Sequence, residues 1–338
     1  MLSDVVPLET RARTLHEERD PAALAMLFDG VDRTSIVTSP SLSFWLADAW
    51  RRVGRGTDAI ALLQDAEPAF ARHGNDVLHR HRLNLEGMLR FDAGDVAAAE
   101  SCWRSLLAAA SEAHDDDFIA RANNNLGVIY TLHGRWEEAI ASYERAMVAY
   151  RSTGRRRGLA QAHQNLGITY RELDFAPKAD HHFVQAIRYA SADASEDEIA
   201  RAEQERALLI YMSQRDAELA RATAQRALTR FEQLGERGTA ADTMRVLGMI
   251  EIGEGVLDRA MRLLQTALER ARDSQLPLVE AETLEALAVV VELRGDPELA
   301  QSLREDAGRL FRQIGAVEWG RLTRARVTRL AREQTTHT

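Results

Sequence analysis

The chain has 338 residues, 45% of them hydrophobic and 28% charged, with a formal net charge of −9. That balance supplies ample apolar material for a large core, and it excludes the basic field that nonspecific binding to nucleic acid or an anionic membrane requires. Cys102 is the single cysteine, which excludes an intrachain disulfide and argues against a cysteine-built metal site.

Residues 1–40 are irregular. Met1 to Pro7 has neither the basic region nor the apolar run of a secretory leader, and no stretch approaches the ~18 apolar residues of a membrane span. The expectation is a cytoplasmic protein. Asp20-Pro21-Ala22-Ala23-Leu24-Ala25 resembles Asp296-Pro297-Glu298-Leu299-Ala300, which predicts a degenerate N-terminal hairpin or cap over residues 1–40.

From residue 41 the chain repeats itself at a spacing of forty. Ala122-Asn123-Asn124-Asn125-Leu126-Gly127-Val128-Ile129-Tyr130 falls on Ala162-His163-Gln164-Asn165-Leu166-Gly167-Ile168-Thr169-Tyr170. A fixed period of this length marks a solenoid of stacked supersecondary units. Three columns of small residues carry the register. The first is Ala47, Gly87, Gly127, Gly167, Leu208, Gly248 and Ala288, where the two helices of a hairpin must approach closely. Leu208 breaks it and predicts looser packing in the fifth repeat. The second, twelve residues on, is alanine throughout: Ala59, Ala99, Ala139, Ala179, Ala220, Ala260 and Ala300. The third is Ala66, Leu106, Ala146, Ala186, Ala227, Ala267 and Ala307.

Turn residues separate the columns. Gly54, Gly94, Gly134, Gly255 and Gly295 end the first helix of their pairs, and Gly74, Gly154, Gly235 and Gly315 mark every second junction between repeats. Asp296-Pro297 reads as cap plus first-turn proline, with Pro177 in the same column. Good helix formers dominate and no period-two alternation is sustained, so the fold class is all-α. Seven hairpins of about forty residues occupy 41–315. Residues 316–338 form a C-terminal capping helix and tail, with Trp319, Leu322 and Leu330 on its apolar face.

The run Asn125-Leu126-Gly127-x-x-Tyr130, Gly134-x-Trp136-x-x-Ala139, Tyr143-x-x-Ala146 resembles a tetratricopeptide repeat. The resemblance spans about Ser41 to Ala307. Its forty-residue period is similar to that of the long-repeat subgroup, which includes Leu-Gly-Asn-repeat scaffolds, kinesin light chains and bacterial Rap-type regulators. It implies a right-handed α-solenoid whose first (A) helices line a concave groove, and a non-catalytic scaffold that binds another protein or a peptide there. The alternatives are a regulatory module that responds to a small peptide or metabolite, and an oligomeric assembly factor. Homo-oligomerisation stays open.

The groove stripe is the set of positions three and two before, and one and four after, the first small column. Its centre is rich in amides: Asn84, Asn124, Asn125, Gln164 and Asn165. Arg171, Arg206 and Arg245 follow. Amides offer donors and acceptors to an extended peptide backbone, and arginines suit an acidic segment. The resemblance assigns the backbone-gripping role to Asn125 and Asn165. Asn124 and Gln164 stand where a carboxylate clamp uses Lys or Arg, so a chaperone-type tail is not the expected ligand. Phe44, Trp45 and Phe91, with Leu85 and Met88, offer an apolar wall near the N-terminus, for a hydrophobic anchor or for packing against residues 1–40.

No catalytic constellation emerges. His79 and His81 are two apart and point to different sides of a helix, and His181 and His182 are adjacent. Asp115-Asp116-Asp117 reads as a solvated helix N-terminus. The expectation is no metal, no nucleotide cofactor, no nucleic-acid partner and no enzyme activity.

Overall fold

The computed structural model describes residues 2–18, 20–73 and 76–332. The predicted Gly74 turn and the tail from residue 333 lie outside them. Packing divides the chain into two compact units, Met1–Ala122 and Asn123–Thr338.

The described residues are helical throughout, with no strand among them. In the first unit α1 (Leu2–Glu17), α2 (Pro21–Leu27) and α3 (Arg33–Val37) precede the pair α4 (Pro40–Arg52) and α5 (Gly56–Asp65). The short α6 (Glu67–His73) follows, then α7 (Val77–Asp92) and α8 (Val96–Glu112). The boundary falls inside α9 (Asp116–Leu132). The second unit continues with α10 (Trp136–Ser152), α11 (Arg156–Glu172), α12 (Ala176–Ala192), α13 (Glu196–Gln214), α14 (Ala217–Leu234), α15 (Arg237–Gly253), α16 (Leu257–Asp273), α17 (Pro277–Leu293), α18 (Pro297–Gln313) and α19 (Val317–Arg332). Consecutive helices pack as hairpins, the plan of an α-solenoid. No helix of the described residues is long and apolar enough to cross a membrane.

The small columns are the hairpin contacts. All seven alanines of the second column are fully buried. Each glycine of the first column faces a large side chain sixteen residues on. A Cβ at Gly87, Gly127 or Gly167 would stand within 2.6 Å of Trp103, Tyr143 or Phe183, and one at Gly248 would stand 2.7 Å from Leu264. The fifth repeat reverses the sizes: Leu208 is buried at 1% exposure, and the residue sixteen on is the fully buried Ala224. The expected looseness there is absent, because the facing helix gives up the volume that Leu208 takes.

The turns show how the backbone closes each helix. Gly54, Gly94, Gly134, Gly255 and Gly295 all have positive φ. The two members of that column that are not glycine, Asp174 and Arg215, adopt the same left-handed conformation, at φ 59° and 58°. At the junctions between repeats His114, Ala194 and Gln275 do likewise. Most of these ends close with a six-to-one bond, such as Phe175 N–H to Tyr170 O at 2.9 Å and Ser195 N–H to Ala190 O at 3.0 Å. Helix starts follow the expected chemistry: Asp296 accepts from the Leu299 amide at 3.0 Å, with Pro297 in the first turn.

Candidate functional site

In the first unit, the N-terminal helix covers the apolar wall. Phe44 is buried, its ring 5.8 Å from His16 of α1 and 5.2 Å from His81 of α7. Trp45 is half-buried beneath α1, with the Arg13 guanidinium 5.8 Å above it. Leu8, Ala12 and Leu15 of α1 join the same core. Phe91 turns toward α8 and lies 5.9 Å from Trp103. Asn84 donates to Met88 Sδ at 3.5 Å on its own helix.

In the second unit the amides meet. Asn165 of α11 donates from Nδ2 to Asn124 Oδ1 of α9 at 3.2 Å. Asn124 is buried, whereas Asn125, Gln164 and Asn165 are half-buried, as are Val128 and Ile168 one step further along the stripe. Below them Thr131 turns inward, its hydroxyl 3.2 Å from both the Tyr143 hydroxyl and the Thr169 hydroxyl. The result is a short amide ladder on two adjacent A helices, above a tightly packed hydroxyl cluster.

The three arginines stand elsewhere, and each already has a carboxylate. Arg171 is buried between Glu172 (3.1 Å) and Glu205 (2.5 Å). Arg206 leaves the stripe and pairs with Asp180 of α12 at 2.7 Å. Arg245 is buried, 2.6 Å from Asp242 and 3.4 Å from Glu282. Burial pushes the Glu282 carboxyl up despite the nearby guanidinium, and Arg245 is held firmly protonated by its two acids. Glu205 lies on the stripe beside Arg206, whereas Glu172, Asp180, Asp242 and Glu282 sit on flanking positions that the stripe leaves out. The pairing of Asp242 with Arg245 three residues on was visible as an i,i+3 contact.

The largest feature absent from the stripe is α19. It lies on the A-helix faces of α15 and α17, with Val327, Leu330 and Ala331 in one apolar cluster with Met249, Ile252, Ala286 and Val289. Its polar side chains meet the acids of the channel. Trp319 Nε1 donates to Glu282 at 2.7 Å, and Thr323 reaches the same carboxylate at 3.5 Å. Arg324 forks onto Glu285 at 2.6 and 3.1 Å. Arg326 pairs with Glu172 of α11 at 2.9 Å, and Glu172 itself is held well below the usual carboxylate range by Arg326 and Arg171, against the desolvation that opposes it.

A histidine pair sits between α11 and α12. His163 Nδ1 and His182 Nδ1 are 3.0 Å apart, with Tyr189 stacked on the first ring and Tyr170 on the second. Burial first, then neighbouring positive charge, pushes both down to about 4. One ring therefore donates to the other as a neutral pair. Among the described residues no three or more histidine, cysteine, aspartate or glutamate side chains gather so as to hold a metal ion. The Cys102 thiol is half-buried, and burial pushes it up to about 11, so it is protonated and unreactive at neutral pH.

A tetratricopeptide-repeat family model matches residues 78–152 and 118–192. No curated protein matches the chain in sequence. The solved structure of a Rap protein complexed with competence and sporulation factor aligns with a TM-score of 0.64 at 14% identity, covering 99% of this chain and 100% of that one. The Rap conjugation gene regulator of plasmid pLS20, in complex with the Phr* peptide, aligns at 0.60 and 14% identity over 94% of this chain and 97% of that one. NprR in complex with its cognate peptide NprX aligns at 0.57 and 15% identity, covering 86% and 85%. At these identities the likeness is one of fold. Residues 78–192 match tetratricopeptide repeats, and with the forty-residue register and the buried small columns the chain is similar in fold to the Rap and NprR structures.

Proposed function

We propose that this chain is a non-catalytic peptide-binding module in which Asn125 and Asn165 grip the backbone of an extended ligand, with Gln164 beside them. The observation that carries this is the ladder itself. Asn165 donates to Asn124, and Asn125, Gln164 and Asn165 are half-buried on the same helix stripe as the half-buried Val128 and Ile168. Amides arranged this way match the alternating donors and acceptors of a peptide, and the flanking aliphatic groups accept its side chains. The fold neighbours in complex with a peptide support the same ligand class. The neighbour described as a conjugation gene regulator in complex with a peptide supports a peptide-responsive regulator over a passive scaffold. The net charge of −9 favours a protein or peptide partner over nucleic acid, and a cytoplasmic setting suits a chain with one unpaired cysteine.

An acidic ligand was expected from Arg171, Arg206 and Arg245. All three are paired with carboxylates in the free chain, so they add little attraction for one. The test begins with peptides that co-purify with the chain from its host, identified by mass spectrometry. Isothermal titration of those peptides should show Asn125→Ala/Asn165→Ala weakening affinity roughly tenfold, the sum of two neutral hydrogen bonds at ~0.5–1.5 kcal/mol each. The melting temperature should stay within a few degrees. Unchanged affinity, or an unfolded double variant, would overturn the assignment.

A further inference from the structure

We infer that the channel face of α11, α15 and α17 is a receptor for an arginine-bearing amphipathic helix, and that α19 is its internal, displaceable occupant. The inference rests on the peptide-binding reading above and deepens it by naming a ligand class.

The first argument is charge. The A-helix faces of the second unit carry Glu172, Glu205, Asp242, Glu282 and Glu285 against Arg171 and Arg245. The surplus is acidic. The helix that lies on this face carries Arg321, Arg324, Arg326, Arg329 and Arg332 against one carboxylate, Glu318. Two of its cations meet channel acids, Arg324 on Glu285 and Arg326 on Glu172, and Arg329 approaches the exposed Asp174 of the turn after α11 at 3.9 Å. The contact is specific in form as well as sign. The Trp319 indole reaches Glu282, and the Arg326 guanidinium, seven residues on, stacks 5.4 Å from that indole while pairing with Glu172. An indole and a guanidinium two helical turns apart are the signature that a helical ligand must present here.

The second argument is that α19 is a ligand-like contact rather than a continuation of the repeat. α19 lies across two A helices, α15 and α17, and also reaches α11 through Arg326 on Glu172. Its docking is also imperfect. Arg326 is buried at 5% exposure, and its Nε has no hydrogen-bond partner among the described residues. A buried donor left unpaired weakens the docked state relative to water. The acids beneath it, Glu282 and Glu285, are themselves stripped of water, so release of α19 rehydrates two carboxylates. Apolar contacts through Val327 and Leu330 hold the helix down; the polar layer decides what replaces it.

A fluorescein-labelled peptide with the sequence of residues 316–332 tests this against the full chain. The wild-type chain should bind it weakly, because α19 occupies the face and only the undocked fraction is competent. Full-length Trp319→Ala/Arg326→Ala should bind it at least tenfold more tightly, and the same peptide carrying Arg326→Glu should lose that gain. Hydrogen exchange should show amides 317–332 unprotected in the variant, with α11 and α15 still protected. The gentler Glu172→Gln should speed exchange of α19 several-fold and leave the rest unchanged. Equal peptide binding by wild type and variant, loss of protection in α15 and α17 together with α19, or failure of the double variant to fold would each overturn the inference and make α19 an integral cap. Asn125→Ala/Asn165→Ala separates the two readings, because the acidic contacts of α19 are with Glu172, Glu282 and Glu285. Its effect on co-purified peptides reports on the ladder alone, and binding of the 316–332 peptide reports on the acidic face alone.

Discussion

The closest helix contacts make the sharpest stability test. At Gly167 of α11 an added Cβ would stand 2.6 Å from Phe183 Cε1 and 2.7 Å from its Cδ1, and the Phe183 ring is fully buried between Ala179 and Leu209. Two effects oppose each other in Gly167→Ala. Helix propensity favours alanine by about 1 kcal/mol in a helix interior. Overpacking a closed contact costs about 1–3 kcal/mol, because the ring has no empty space to enter. The second should win, for a net loss of about 1–2 kcal/mol, read as a lower urea midpoint by circular dichroism at constant slope. The fifth repeat supplies the control, since Leu208 and Ala224 fill the equivalent space with sizes exchanged. Phe183→Ala alone should cost about 3–5 kcal/mol by leaving a cavity. Gly167→Leu combined with Phe183→Ala should recover at least 1 kcal/mol of the sum of the two single losses, within the range of couplings between touching residues. A higher midpoint for Gly167→Ala, or strict additivity in the double variant, would refute the size-exchange argument.

The His163–His182 pair predicts a pH dependence. Both rings are held down to about 4 in the folded chain but protonate near 6.5 when unfolded, so the unfolded state binds more protons between those values. Their stabilising contribution is complete above pH 6.5 and is lost as the pH falls toward 4; melting curves across that range should flatten in His163→Asn, the residue found at the equivalent Asn123. Arg245→Ala should cost about 3–5 kcal/mol in a denaturant titration, because it leaves the buried Glu282 and the half-buried Asp242 without that cation, and adding Glu282→Gln should return part of it. Ala194 holds φ 50°, a left-handed conformation that costs an L-residue about 1–2 kcal/mol. Ala194→Gly should therefore raise stability by about 0.5–1 kcal/mol after the entropy of the freer unfolded chain is counted, and a lower melting temperature would contradict it.

The hairpins were legible because their determinant is local and periodic. A small residue every forty positions, followed twelve on by alanine, places two helix surfaces against each other whatever the rest of the sequence does. The turns were legible only where glycine marked them. Asp174, Arg215 and Ala194 take the same backbone conformation without glycine, because the helix–helix contacts on either side fix the chain path and outweigh a local cost of about 1–2 kcal/mol. Leu208 misled for a related reason: one column was weighed without the residue sixteen positions on that faces it.

The candidate site was legible as a stripe but not as a surface. Periodicity says which residues share a face, and the amides of α9 and α11 do meet, as Asn165 on Asn124 shows. It does not say what else lies on that face. The contact of Arg326 with Glu172 joins residues far apart in the chain, and α19 belongs to no column that would reveal its partner. Charge suffered most. An arginine counted on a stripe is taken for a free cation, yet Arg171 lies next in sequence to Glu172, and Arg245 lies three residues after Asp242. Buried cations keep a partner within reach because desolvation penalises them otherwise. The charge a groove offers to a ligand is what remains after such internal pairs are removed. In this channel that remainder is negative, and the helix that lies in it is positive.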